Sequence, residues 1–240
     1  MSPHSQQGDE PSLAALEQAA EAKPGDPRAW HALAAAAYRA GLLKQAEAAV
    51  VRVLDLAPAD GNAWLLAGQV RRADGRHAEA ESAFRKAVEH APGLARAWVQ
   101  LATLRPPAEA ERCLARAREL APEDPVVWLA SADLARARGD LDAAEAGYRQ
   151  AAAHARRPAE ALADLGGVCQ LKGDYAGAEA AYGDAMAADP GNPRVRLGMA
   201  QLMEIRGRPA EGLALIADAL QRQPVPPSAA ITAARLLRRL

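Results

Sequence analysis

The side chains able to do chemistry are few, and their spacing does not bring them together. His4, His31, His77, His90 and His154 show none of the short intervals that set two imidazoles on one helical face, so no metal site is expected. Cys113 and Cys169 form no paired motif and read as small apolar side chains, not as a disulfide or a reactive thiol. No serine or cysteine sits in a nucleophile-elbow pattern, and no glycine-rich run precedes a Lys-Ser or Lys-Thr to cradle phosphate. The acidic pairs Glu109/Glu111 and Asp140/Asp142 fall where turns are expected and read as solvated. Arg235, Arg238 and Arg239 could meet phosphate, but three charges on one terminal helix do not make a nucleic-acid surface. No catalytic constellation, cofactor, metal or nucleic-acid partner is expected.

Four tryptophans could form a stacking ladder for bases or sugars, but their spacing gives them another role. Trp30, Trp64, Trp98 and Trp128 recur at steps of 34, 34 and 30 residues, and Leu162 and Arg196 extend the series at 34 and 34. A fixed period in this range means one supersecondary unit copied and stacked. The tryptophans therefore share one position of a repeat, where packing between helices is the expected role.

With each landmark at position four, the rest of the chain falls into register. Positions seven and eight are small or aliphatic, as in Leu33-Ala34, Leu101-Ala102 and Leu165-Gly166. Glycine follows at position fifteen in five units (Gly41, Gly75, Gly139, Gly173, Gly207), where it accepts the left-handed backbone that ends a helix. A small residue comes five later (Ala46, Ala80, Ala110, Ala144, Ala178, Gly212). A larger packing residue then stands at position twenty-four: Val50, Phe84, Leu114, Tyr148, Tyr182 and Ile216. Pro58, Pro92, Pro122, Pro190 and Pro224 stop the second helix. Asp26-Pro27, Asp124-Pro125 and Asn192-Pro193 each put a capping side chain before a proline suited to the first helical turn, marking three first-helix starts independently.

This pattern resembles the tetratricopeptide repeat (TPR) family, in an alanine-rich bacterial style, over nearly the whole chain. The fifth unit shows it most fully, with Leu165-Gly166, Gly173-Asp174-Tyr175, Ala178, Tyr182, Ala185 and Pro190. The resemblance implies an all-α, right-handed solenoid of six helix pairs, each a helix A and a helix B, with a half-unit helix at each end. The repeats are expected at 27–60, 61–94, 95–124, 125–158, 159–192 and 193–226. Half-units at 11–26 and 227–240 complete an array over 11–240, behind a disordered tail at 1–10.

Bulk properties agree with stacked helices. Half the residues are apolar but only 4% are aromatic, which suits close packing through alanine better than a β-sandwich. The formal charge of −1 gives no general pull toward nucleic acid or anionic lipid. No apolar run has the length of a membrane span, and the polar start MSPHSQQGDEPS argues against a cleaved signal, so a cytoplasmic setting is expected.

Three departures stand out. The third unit is four residues short, with Pro106-Pro107 in place of the end of helix A and its glycine turn, which predicts a helix about one turn shorter. The fourth unit exits through Arg156-Arg157-Pro158, and Arg196 replaces a bulky apolar residue, which predicts looser packing in the sixth unit. Ile231, Leu236, Leu237 and Leu240 on the last helix predict an exposed apolar patch for another copy or a further domain.

In the TPR family the concave face is lined by helix A at positions two, five, nine, twelve and thirteen, with six contributing. Carried over, this gives Arg28, His31, Ala35, Tyr38 and Arg39; then Asn62, Leu65, Leu66, Gln69 and Arg72; then Arg96, Val99, Gln100 and Thr103. The later units give Val126, Leu129, Asp133 and Arg136; Glu160, Asp164, Gly167 and Gln170; and Arg194, Leu197, Gln201 and Glu204. Arg28, Arg39, Arg72 and Arg96 have no acid among the named positions of the first three units, whereas the last three units hold four acids and two arginines. A clamp for a terminal carboxylate is not expected, since only Arg96 of its matching positions fits. The resemblance thus implies a non-enzymatic scaffold that binds a segment of another protein, acidic over some of its length, without membrane insertion. The alternatives are the repeat region of a larger sulfotransferase or glycosyltransferase, or a homo-oligomer built through the C-terminal helix.

Overall fold

A computed structural model describes residues 11–221 and 225–240. Residues 1–10, expected as a disordered tail, and Pro224, expected as a helix stop, lie outside the described residues. The described residues form an all-α repeat fold of the solenoid class, fourteen helices with no strand among them. They group into two compact units divided between Pro106 and Pro107.

The first unit holds α1 (Leu13–Ala22), α2 (Pro27–Arg39), α3 (Leu43–Leu56), α4 (Gly61–Ala73), α5 (His77–His90) and α6 (Ala95–Ala102). The second holds α7 (Pro107–Leu120), α8 (Pro125–Ala137), α9 (Leu141–His154), α10 (Ala159–Lys172) and α11 (Tyr175–Ala188). It ends with α12 (Pro193–Ile205), α13 (Pro209–Leu220) and α14 (Pro227–Leu237). The eight-residue α6 compares with thirteen in α2 and α4, so the deletion at Pro106-Pro107 removes a little over one turn.

Local chemistry sets the helix ends. Asp26, Asp124 and Asn192 accept the backbone N–H two residues on (2.9, 2.9 and 3.0 Å), and Asp60 does the same for α4 without a following proline. Ser12 caps α1 by accepting the N–H of Ala15 at 3.2 Å. The position-fifteen glycines all have φ between 72° and 79°, the left-handed region that a Cβ penalises. The turn after Arg156-Arg157 differs as expected: α10 starts behind Pro158 with no side-chain cap.

The core follows the repeat register. Val50, Phe84 and Tyr148 are fully enclosed at position twenty-four, and Leu114, Tyr182 and Ile216 nearly so. The first unit packs around Leu33, Ala37, Val50, Leu66 and Val70. The second packs around Tyr148, Val168, Tyr182, Leu202 and Met203.

Two expectations need correction and two gain detail. The position-four tryptophans are half-buried rather than enclosed, because each indole lies along the preceding turn and donates from Nε1 to a proline carbonyl six residues back. Those bonds are Trp30 to Pro24 at 3.0 Å, Trp64 to Pro58 at 2.7 Å, Trp98 to Pro92 at 2.9 Å and Trp128 to Pro122 at 2.6 Å. Arg196, expected to loosen the sixth unit, lines a cavity of about 200 Å³ there with Leu197, Leu215 and Ile216, and its Nε donates to the Pro190 carbonyl at 2.9 Å, reproducing the indole bond. Leu236 belongs to the core, fully buried with Ala200, Ile216 and Ala233, whereas Ile231, Leu237 and Leu240 are exposed. The acids Glu109, Glu111, Asp140 and Asp142 are exposed as expected, and three of them also have surface partners: Asp140 caps α9, Asp142 binds Lys172, and Glu111 binds Arg138.

Candidate functional site on the helix A faces

The helix A positions expected to line a groove lie in both units, and each unit has its own character. In the first, Arg28, Arg39, Asn62 and Arg96 are exposed, and His31, Tyr38, Gln69, Arg72 and Gln100 are half-buried. Leu65 is buried at 9% exposure and serves packing more than contact, as do Leu66 and Val99. Arg72 is held in place: Nη1 donates to Thr103 Oγ1 at 3.4 Å, and the guanidinium lies 6.0 Å from the Phe84 ring centre. Thr103 Oγ1 in turn donates to the Gln100 carbonyl at 2.7 Å.

In the second unit seven of the expected residues line one open cavity of about 370 Å³, and Val126, Leu129, Asp133, Glu160 and Glu204 do not. Arg136 of α8, Asp164, Gly167 and Gln170 of α10, and Arg194, Leu197 and Gln201 of α12 line it. Four further lining residues, Ala163, Leu171, Tyr182 and Gly198, are not among those carried over from the sequence. Leu171 is 66% exposed, so an apolar side chain stands in solvent at the cavity edge. A signal for it was present, because Leu171 is position thirteen of its unit.

Tyr182 reaches the cavity because two glycines make room for its ring. A Cβ on Gly166 would come within 2.9 Å of the ring, and one on Gly198 within 2.7 Å. The phenol then donates to Gln170 Oε1 at 2.9 Å. Burial pushes this phenol up to about 12. Tyr148 has the equivalent role in the preceding repeat, donating to Asp133 Oδ1 at 2.5 Å and accepting from Arg136 Nε at 3.1 Å. Its own phenol is also held well above the ordinary range, first by burial and then by its bond to Asp133.

Charges alternate across this surface. Arg194 bridges Glu160 (2.6 Å) and Asp164, and Asn192 Nδ2 donates to Glu160 at 2.8 Å. Hydrogen bonds from Asn192 and Arg194 hold the Glu160 carboxyl below the usual carboxylate range. Burial raises that of Asp164 despite Arg194 beside it. The surface thus combines paired charges, an exposed leucine and two glutamine amides, Gln170 and Gln201, each with donors and an acceptor. Glu204 stands apart, facing Arg235 and Arg239 of α14 at 3.5 and 3.9 Å.

Three family models described as tetratricopeptide repeat match residues 61–104, 129–193 and 171–237. The chain is a tetratricopeptide repeat protein. Solved structures share its fold. A chain of the APC/C hetero-tetramer Cut9–Hcn1 superposes with a TM-score of 0.78 at 18% identity over 92% of this TPR chain and 45% of that one. This TPR chain thus spans less than half of that relative. PilW, a type IV pilus biogenesis factor, gives a TM-score of 0.77 at 18% identity, over 85% of this chain and 97% of its own. YrrB, a TPR protein with an unusual peptide-binding site, gives 0.55 at 21% identity, over 77% and 97%. At these identities the likeness concerns the fold alone. No curated protein matches the sequence. Among the described residues of this TPR chain, no helix is long and apolar enough to cross a membrane.

Proposed function

We propose that this TPR protein is a non-enzymatic scaffold that holds a peptide segment of another protein against its helix A faces. The observation that carries this reading is the cavity of about 370 Å³ in the second unit, to which three successive A helices contribute side chains. Its lining mixes fixed polar groups with apolar ones, and its tyrosine is preset by packing, so little ordering is required of the scaffold when a segment binds. The peptide-binding site named for YrrB, a protein of the same fold, is in keeping with this reading. In the first unit the exposed Arg28, Arg39 and Arg96, with Arg72 beside them in register, suit an acidic stretch of partner.

The test fills the cavity. Gly167 is half-exposed within it, and the nearest atom to a Cβ there is the Tyr182 hydroxyl at 3.8 Å, so a larger side chain fits the backbone and enters the groove. A partner captured by the wild-type chain, trimmed to its shortest binding peptide, should bind Gly167→Arg at least an order of magnitude more weakly while helicity is unchanged. Equal affinity for both proteins would place the peptide elsewhere.

A further inference from the structure

Among the described residues, α1 and α14 expose matching sides of a helix pair. In the fourth repeat, position twenty-three of helix B packs on position eight of helix A: a Cβ on Gly147 of α9 would stand 2.9 Å from the Cβ of Ala132 in α8. Positions twenty-three and twenty-seven are accordingly buried in the B helices, as Ala49 and Val53 in α3, Ala83 and Ala87 in α5, and Ala181 and Ala185 in α11. In α1 the corresponding residues, Ala15 and Ala19, are exposed, and Leu16 between them is only half-buried.

The reverse holds at α14. Position eight is buried as Ala34, Ala132 and Ala200, and position eleven as Ala37, Cys169 and Met203. Their equivalents in α14, Ala234 and Leu237, are exposed, Leu237 by 60%. So α1 has the side of a helix B that takes a helix A, and α14 the side of a helix A that takes a helix B. Neither side carries a charge at its centre; Arg238 only borders that of α14.

We propose that two copies of this chain associate head to tail, α1 of one copy packing on α14 of the other to complete a repeat in trans. The contact continues the A–B interface that the chain already forms within its own repeats, for example α2 with α3 and α10 with α11. Small residues face each other as they do at Gly147 and Ala132, and Leu16 and Leu237 supply the apolar bulk. The contact is heterologous, so each pair keeps one free side of each kind and can grow or close. It uses none of the helix A residues that line the proposed groove, so its failure would leave the peptide-binding reading intact.

Two surface variants decide the matter. Ala15→Glu/Ala19→Glu blocks the α1 side, and Ala234→Glu/Leu237→Glu blocks the α14 side; all four residues are exposed, so the fold should be retained, checked by far-ultraviolet circular dichroism. In sedimentation, the weight-average mass of the wild type should rise with concentration to at least twice the monomer. Each variant alone should remain monomeric, and an equimolar mixture should form a dimer of one of each, through the single pair of intact sides. A wild type that stays monomeric at high concentration overturns the proposal, as does a mixture that fails to pair. Self-association of the α1-blocked variant alone also overturns it, since that would put α14 against α14.

Discussion

The ring of Tyr182 occupies the space where Gly198 has no side chain: a Cβ there would lie 2.7 Å from Cε1. The close approach brings α12 against α11 and points the phenol at Gln170. Gly198→Ala should therefore lower the denaturant midpoint despite alanine's better helix propensity, with overpacking costing about 1–3 kcal/mol. Gly183, on the same α11 but with nothing within 4 Å of its missing Cβ, gives the contrast. Gly183→Ala should raise stability by about 0.5–1 kcal/mol. Equal effects of the two substitutions would contradict the packing argument.

The same phenol sets an alkaline limit. In the folded chain it titrates at about 12, above the ordinary tyrosine value of about 10 to which it returns on unfolding. Its folded pKa is the higher one, so its contribution is complete below about 10 and is lost as pH rises through 12. Melting temperature should fall across that window, and Tyr182→Phe should flatten the fall while giving up one hydrogen bond at lower pH. A parallel decline in both proteins would assign the alkaline loss to other groups.

Trp64 donates to Pro58 and lies under Lys86, whose Nζ is 4.1 Å from its ring centre, yet the indole is only half-buried. Trp64→Ala should then cost about 2–3 kcal/mol, below the ~3–5 kcal/mol of an enclosed aromatic. Trp64→Phe should cost about 1 kcal/mol, the worth of the lost hydrogen bond. Arg196→Leu should behave like the latter, because it too removes a donor to a proline carbonyl. Chemical denaturation of the three variants checks the order.

How far the fold could be read from sequence depended on whether a feature was local or relational. Glycines at position fifteen and Asp-Pro or Asn-Pro starts announce backbone geometry directly, and the helices begin and end where those residues stand. The side-chain partners of position four did not announce themselves. Trp and Arg look opposite on any hydrophobicity scale, but both carry an N–H on a long arm, and the turn needs that N–H. Leu236 and Leu237 are neighbours in sequence, and only the placement of α12 and α13 decides that one is core and the other exposed. Of the cavity lining, the helix A residues were legible because they follow the period. The contribution of Tyr182 was not, since it comes from helix B through a gap left by Gly166 and Gly198.

Charge and shape can be separated in the first unit. Arg96 is exposed, and Arg72 is half-buried between Thr103 and the Phe84 ring, so the Arg72 guanidinium is set on the helix A face before any ligand arrives. If an acidic stretch of partner docks there, Arg72→Glu/Arg96→Glu reverses the local field. Affinity for the trimmed partner peptide should drop about tenfold, or about 1.4 kcal/mol. The salt dependence is the more telling readout. Wild-type binding should weaken steadily as ionic strength rises, because exposed charges are screened beyond roughly 10 Å at 0.1 M salt. The double variant should lose that dependence or reverse it, while Arg96→Lys alone keeps it. If affinity falls but the salt slope is unchanged, the arginines act through packing alone, and the acidic-partner reading fails even where groove binding stands.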